Sequence, residues 1–237
     1  MTAPASATTT GPSYRSAGWA AITSGAIGLI AYGFLWAFLI KRMSGASEQT
    51  FVPLIRTHDV AVILQSIFLI PLVLTLGGIV GERSPGARRP IVVVGVAALS
   101  LMIISLVLIT ANLISDGFFM LFQGLLGMWL IGVNRRVSGV FPRGLTRFGI
   151  VVGVGLVIIA VFPIGFAIFV DPSLGPVPWD YQPPAGTEKA DEILHNILVI
   201  GGFIGVATQP FWSALIGRRL LKMGSQVTAG VTSERAA

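Results

Sequence analysis

Six runs of apolar residues, separated by short polar or basic islands, restrict this chain to very few folds. The runs cover about 18–40, 59–80, 91–113, 117–134, 146–170 and 193–217. A helix rising about 1.5 Å per residue needs about 20 such residues to cross a hydrocarbon core of about 30 Å. The third run is the plainest, with no charged residue between Ile91 and Ile109. A buried soluble core could absorb one run of this kind, but not six. Only 11% of residues are charged, against roughly 25% in a typical soluble domain. The expectation is an all-α, polytopic membrane bundle of about six transmembrane helices.

The stretch before the first run is small and polar, so residues 1–17 read as a disordered tail and not as a signal peptide. The transmembrane domain is expected over 18–222. Residues 223–237, rich in Gly, Ser and Thr, read as a second disordered tail.

Basic residues set the orientation, because Lys and Arg in short loops favour the cytoplasmic side. With the amino terminus inside, the inner segments hold Arg15, Arg83, Arg88, Arg89, Arg135, Arg136, Arg143, Arg147, Arg218, Arg219, Lys222 and Arg235. The outer segments hold only Lys41, Arg42, Arg56 and Lys189. Both termini are therefore expected in the cytoplasm, with Lys41 and Arg42 as dissenters. The location implied is a cell membrane, most simply a bacterial plasma membrane. The net charge of +6 follows from this capping pattern. It forms no basic stripe with interleaved aromatics, so nucleic acid is not an expected partner.

Several chemistries are excluded or unsupported. The chain has no cysteine, which removes disulfides, thiolate nucleophiles and Cys-based metal sites. No Asp, Glu, Lys or Arg falls at the centre of any span, which argues against a proton relay or a voltage sensor. The Gly-rich strings at 149–155 and 201–205 lie inside apolar helices, with no preceding strand and no following Lys-Ser/Thr, so they are not phosphate loops. No catalytic set and no metal-ligand spacing appears, which leans against an enzyme. No cofactor is expected.

What remains is a set of uncharged polar residues at membrane depth, where such groups are candidates for function. Gln65 and Ser66 lie in the second run, Thr110 and Asn112 in the third, Gln123 in the fourth, and Thr208 and Gln209 in the sixth. The expected topology gathers most of them in the outer half, with Tyr32, His58, His195 and Asn196. Tyr32, His58, Gln65, Asn112, Gln123, His195 and Asn196 are accordingly the candidates for an outward-facing polar pocket, roofed by the proline-rich loop from Asp171 to Gly186. The competing account is that these amides only bond neighbouring helices, at about 1 kcal/mol or less each. His58 and His195, the only histidines, could together hold haem or a metal. Asp191, four residues before His195, could orient its ring.

Small residues at four-residue spacing recur at Ala20, Ser24 and Gly28, at Gly149 and Gly153, and at Gly201 and Gly205. Such faces let helices approach closely, within one bundle or between subunits. Pro71, Pro163 and Pro210 lie inside spans and are expected to kink them.

Three segments, FPRGLTRFGIVVGVG at 141–155, the stretch from VFPIG to LHN at 161–196, and PFWSALIGRRLL at 210–221, resemble the six-helix membrane families of actinobacterial type classed as domains of unknown function. The resemblance covers mainly the carboxyl-terminal half. It implies a compact six-helix bundle and carries over no catalytic residue. Three roles are thus open. The first is binding or moving a small molecule or lipid through the outer pocket. The second is an accessory subunit of a larger membrane complex or homo-oligomer, and the third a membrane enzyme or haem protein using His58 and His195.

Overall fold

The computed structural model describes residues 14–172 and 181–236, with side chains as far as residue 226. Its helices are α1 (Tyr14–Met43), α2 (Glu48–Arg83), α3 (Pro85–Thr110), α4 (Gly117–Arg136), α5 (Arg143–Phe169), α6 (Glu188–Gly201) and α7 (Gln209–Ala236). A π-helical turn, Gly202–Val206, joins α6 to α7. Six segments are long and apolar enough to cross a membrane, α6 through α7 acting as the sixth. Every one of them exposes large apolar side chains, among them Ile30, Phe68, Ile104, Met128, Ile168 and Phe203. An apolar belt this extensive is foreign to a water-facing monomer and matches a lipid-facing surface.

The helices form a closed ring in chain order. α1 packs on α2, α2 on α3, α3 on α4, α4 on α5, and α5 on α6, and α7 returns to α1. The ring is drawn tight where glycines face one another. A Cβ built on Gly127 would stand 2.5 Å from the Gly153 carbonyl oxygen, and one on Gly18 would stand 2.9 Å from that of Gly217. Gly155 and Gly205 meet in the same way. The small-residue faces expected to serve either the bundle or a partner are thus taken up inside it.

The boundaries differ from expectation where local chemistry outweighs hydropathy. α2 begins at Glu48, eleven residues before the expected start at 59, because its polar first turns are tied down. Phe51 is buried and packs its ring edge-on against Phe38 of α1, 5.8 Å between centroids. Ser84 alone separates α2 from α3, and Pro85 opens α3, a position where the missing N–H is no loss. α3 ends at Thr110 and not at 113. Asn112 takes φ +60°, and the N–H groups of Asn112 and Leu113 donate back to Ile109 and Leu108 carbonyls at 2.8 and 2.9 Å. That pairing is a Schellman cap. The tail expected at 223–237 is helical as far as Ala236. Of the tail expected at 1–17, residues 1–13 lie outside the described residues, and Tyr14 already begins α1.

Two apolar clusters form the core. The larger is built around Leu72, Leu76, Leu99, Leu130, Leu156 and Trp212 and lies toward the end that carries the termini. The smaller comprises Ala31, Ala61, Val62 and Leu106, nearer the opposite, far end. Polar side chains interrupt the core between them.

Candidate functional site

Where the two clusters part, a cavity opens in the middle of the ring. α1 contributes Gly28 and Tyr32, α2 contributes His58, Gln65 and Ser66, α4 contributes Gln123, and the sixth span contributes Val206, Gln209 and Pro210. It encloses about 20 Å³ for water-sized occupants, and one water needs about 10–15 Å³ on the same measure. Sites for drug-sized ligands occupy about 300–1,000 Å³. In this state the cavity has room for a water or two, or something equally small.

Its polar character rests on three glutamines from three spans. Gln65, Gln123 and Gln209 are each 7% exposed. None of their side-chain amides makes a hydrogen bond among the described residues, although their helices supply neighbours on every side. Several buried hydroxyls are satisfied locally, whereas Thr75 Oγ1, Trp129 Nε1, Asn134 Oδ1 and Trp212 Nε1 are buried without a partner. Ser66 donates to the Val62 carbonyl at 2.8 Å, Ser105 to Met102 at 2.9 Å and Ser213 to Gln209 at 3.0 Å. A serine hydroxyl reaches a carbonyl one turn back along its own helix. The glutamine amides, carried on two further carbons, project away from their own backbone and into the gap.

The cavity walls are shaped by what stands beside Gln65. Ser24 of α1 donates its hydroxyl to the Gln65 carbonyl oxygen at 3.1 Å, which pins α1 to α2 at this depth. One turn farther along α1, Gly28 leaves the space that the Gln65 amide occupies. Pro210 of α7 closes the same corner, its Cγ 2.8 Å from where a Gly28 Cβ would stand.

The sixth span is broken beside this corner. Ala207 donates to the Gly202 carbonyl at 3.0 Å, five residues back, and Pro210 brings no N–H to the next turn. The Thr208 hydroxyl donates to the Ile204 carbonyl within the same segment. A π-helical turn inside an α-helix is frequent at functional sites.

Toward the far end, His58 turns Nδ1 to the Asp59 carboxylate, 3.1 Å away, with both side chains buried. Asp116, just ahead of α4, feels the same group. Although part of its surface is exposed, loss of hydration and then the Asp59 charge push its carboxyl above the usual range, while Arg56 and His58 pull it back. Tyr32 meets Trp36 edge-on, 6.0 Å between centroids, and Trp36 leans on Phe203 of the π turn at 5.8 Å.

Of the seven candidates drawn from the sequence, Tyr32, His58, Gln65 and Gln123 line this cavity. Asn112, His195 and Asn196 do not. Asn112 is exposed and serves as the left-handed cap of α3. His195 stands exposed on α6, its Nδ1 3.2 Å from the Asp191 carboxylate, with Phe162 edge-on at 5.2 Å. Asn196 is exposed beside it. The carboxylate–imidazole pair on α6 therefore exists, away from the cavity, and the two histidines do not face one site. Of the loop expected as a roof, residues 173–180 lie outside the described residues. Tyr181 follows them and rests on Phe166, bonded to Asp171 at 3.3 Å.

Besides apolar lining residues, those absent from the pocket candidates include Ser66, Gln209, Gly28 and Pro210. The first two stood among the polar residues at membrane depth. The last two read only as a packing glycine and a kink. The run Thr208, Gln209, Pro210, directly after a Gly-rich string, was the available signal. Comparison with protein-family models, with curated proteins and with solved structures finds no match.

Proposed function

We propose that this chain is a multi-pass protein of a bacterial plasma membrane, with both termini cytoplasmic, whose bundle binds a small polar solute at the glutamine-lined cavity and passes it when the cavity wall opens. One observation carries the reading: three glutamines from three different spans, each 7% exposed and with no side-chain hydrogen bond among the described residues, converge on one space. A buried polar group left unpaired costs about 1–3 kcal/mol, and inside a bilayer no bulk water relieves it. A sequence that retains three such groups together is arranged for something that bonds them. Amides both donate and accept, so the matching solute is uncharged or a weakly hydrated monovalent cation. The volume supports that class over a lipid. The broken sixth span at the cavity wall supports movement, since interrupted helices at the bilayer midplane are how many transporters form a site that opens. The basic residues, twelve toward the termini and four away, support the orientation.

No observation favours the reading as an assembly subunit, because the small-residue faces on which it rested are spent within the bundle. A haem or metal centre shared by His58 and His195 gains no support from two rings that face different surroundings.

The test is thermal unfolding of the full chain in mild detergent against a panel of small polar solutes and monovalent cations, for wild type and for Gln123→Leu/Gln209→Leu. A bound solute at a hundred times its Kd stabilises by about 2.7 kcal/mol. One class of solute is expected to raise the midpoint of the wild type and leave the double variant unmoved. If no solute acts and the leucine variant is the more stable protein, the cavity is a packing gap filled by water and the reading fails.

A further inference from the structure

At the end that carries the termini, an open groove of about 450 Å³ runs between the start of α5 and α7. Leu145, Phe148 and Leu215 form its apolar floor, and Arg218, Arg219 and Lys222 stand along one side. Among the described residues, no ion pair joins Arg218, Arg219 or Lys222 to a carboxylate. Arg219 is the most exacting of them. Its Nε–H is buried and has no hydrogen-bond partner, although a guanidinium offers its donors in a fixed fork that suits a phosphate. Gly144, in the first turn of α5, borders the same groove and brings the positive end of that helix to it. The floor continues onto the lipid-facing surface through Phe211 and Val151, both about half exposed.

The geometry points to a bound anionic phospholipid, its phosphate held by Arg218, Arg219 and Lys222 and one acyl chain lying along Phe148 and Leu215. Charge complementarity selects the headgroup: among the described residues, three cations and a helix amino end meet here with no carboxylate paired to them. Depth selects a lipid over a free anion, because Arg143 and Lys222 mark the level where spans five and six leave the apolar layer. Basic pockets between helices at this level are a recurring form of lipid recognition.

The test is native mass spectrometry of the full chain in detergent, titrated with phosphatidylglycerol or phosphatidylcholine. Wild type is expected to retain phosphatidylglycerol selectively. At about fivefold for each basic residue near the surface, Arg218→Gln/Arg219→Gln/Lys222→Gln is expected to lose about a hundredfold in retention. Lys222→Glu, on an exposed side chain, reverses one charge without threatening the fold and is expected to weaken retention at least fivefold. Arg135→Gln/Arg136→Gln, at the same end but outside the groove, is expected to retain the lipid as wild type does. Equal retention of the two lipids, an unaffected Lys222→Glu variant, or displacement of the lipid by millimolar inorganic phosphate would each overturn the assignment.

Discussion

The backbone of Gly28 lies so close to the side chain of Gln65 that a methyl group on Gly28 would stand 2.7 Å from the glutamine Nε2. The missing side chain on α1 is the space in which the amide on α2 sits. Gly28→Ala is expected to destabilise the protein by about 1–3 kcal/mol through overpacking. Pairing it with Gln65→Ala should recover most of the loss, since the clash is with that amide. A double-mutant cycle in thermal unfolding measures the coupling. Additive losses would show that Pro210, the other close neighbour, carries the strain.

Asn112 is assigned here to a backbone duty. At φ +60° glycine is at ease, whereas a β-branched residue meets its own carbonyl at about 1–2 kcal/mol. Asn112→Gly is therefore expected to match or slightly exceed wild-type stability, and Asn112→Val to fall by that amount. The same Asn112→Gly variant should keep any solute response of the cavity. Loss of that response would return Asn112 to the site.

The Asp116 carboxyl, held above its ordinary value of 3.8 by lost hydration and by Asp59, makes stability depend on pH in a definite direction. Its folded-state pKa exceeds the unfolded one, so between the two values the folded chain binds the proton more tightly. Stability then falls as pH rises through that window and stays lower at neutral pH. Asp116→Asn, which cannot ionise, is expected to be more stable than wild type at pH 7 and to flatten the change just above pH 3.8. Unfolding midpoints of both proteins across acid pH check this, and a steeper wild-type loss in acid would contradict it.

The absence of cysteine makes orientation directly measurable with single introduced thiols. Ser44→Cys lies exposed between α1 and α2, and Ser138→Cys lies exposed between α4 and α5, at opposite ends of the bundle. With the termini cytoplasmic, an impermeant maleimide should label the first in intact cells and the second only after permeabilisation. The reverse pattern would invert the topology and make Lys41 and Arg42 the residues that obey the basic-inside rule.

Run length and charge, read along the chain, determined the class of this protein: six spans, short connections and an apolar exterior. Those properties are sums over neighbours in sequence, so no tertiary information is needed to add them up. The polar residues at depth were equally legible as a set. Which of them meet was decided only in three dimensions, because meeting depends on how each helix is rotated about its axis. His195 and Gln209 illustrate this. Fourteen residues apart, they would lie about 40° from one another on a regular helix, at 100° per residue. The π turn inserts about one extra residue between them, a further rotation of about 100°. His195 accordingly stays at the surface while Gln209 turns into the ring, 7% exposed. The turn itself arises where Gly202, Gly205 and Pro210 weaken the helical ladder and Gly205 docks on Gly155. That contact spans fifty residues of sequence, and only the packed bundle brings it about.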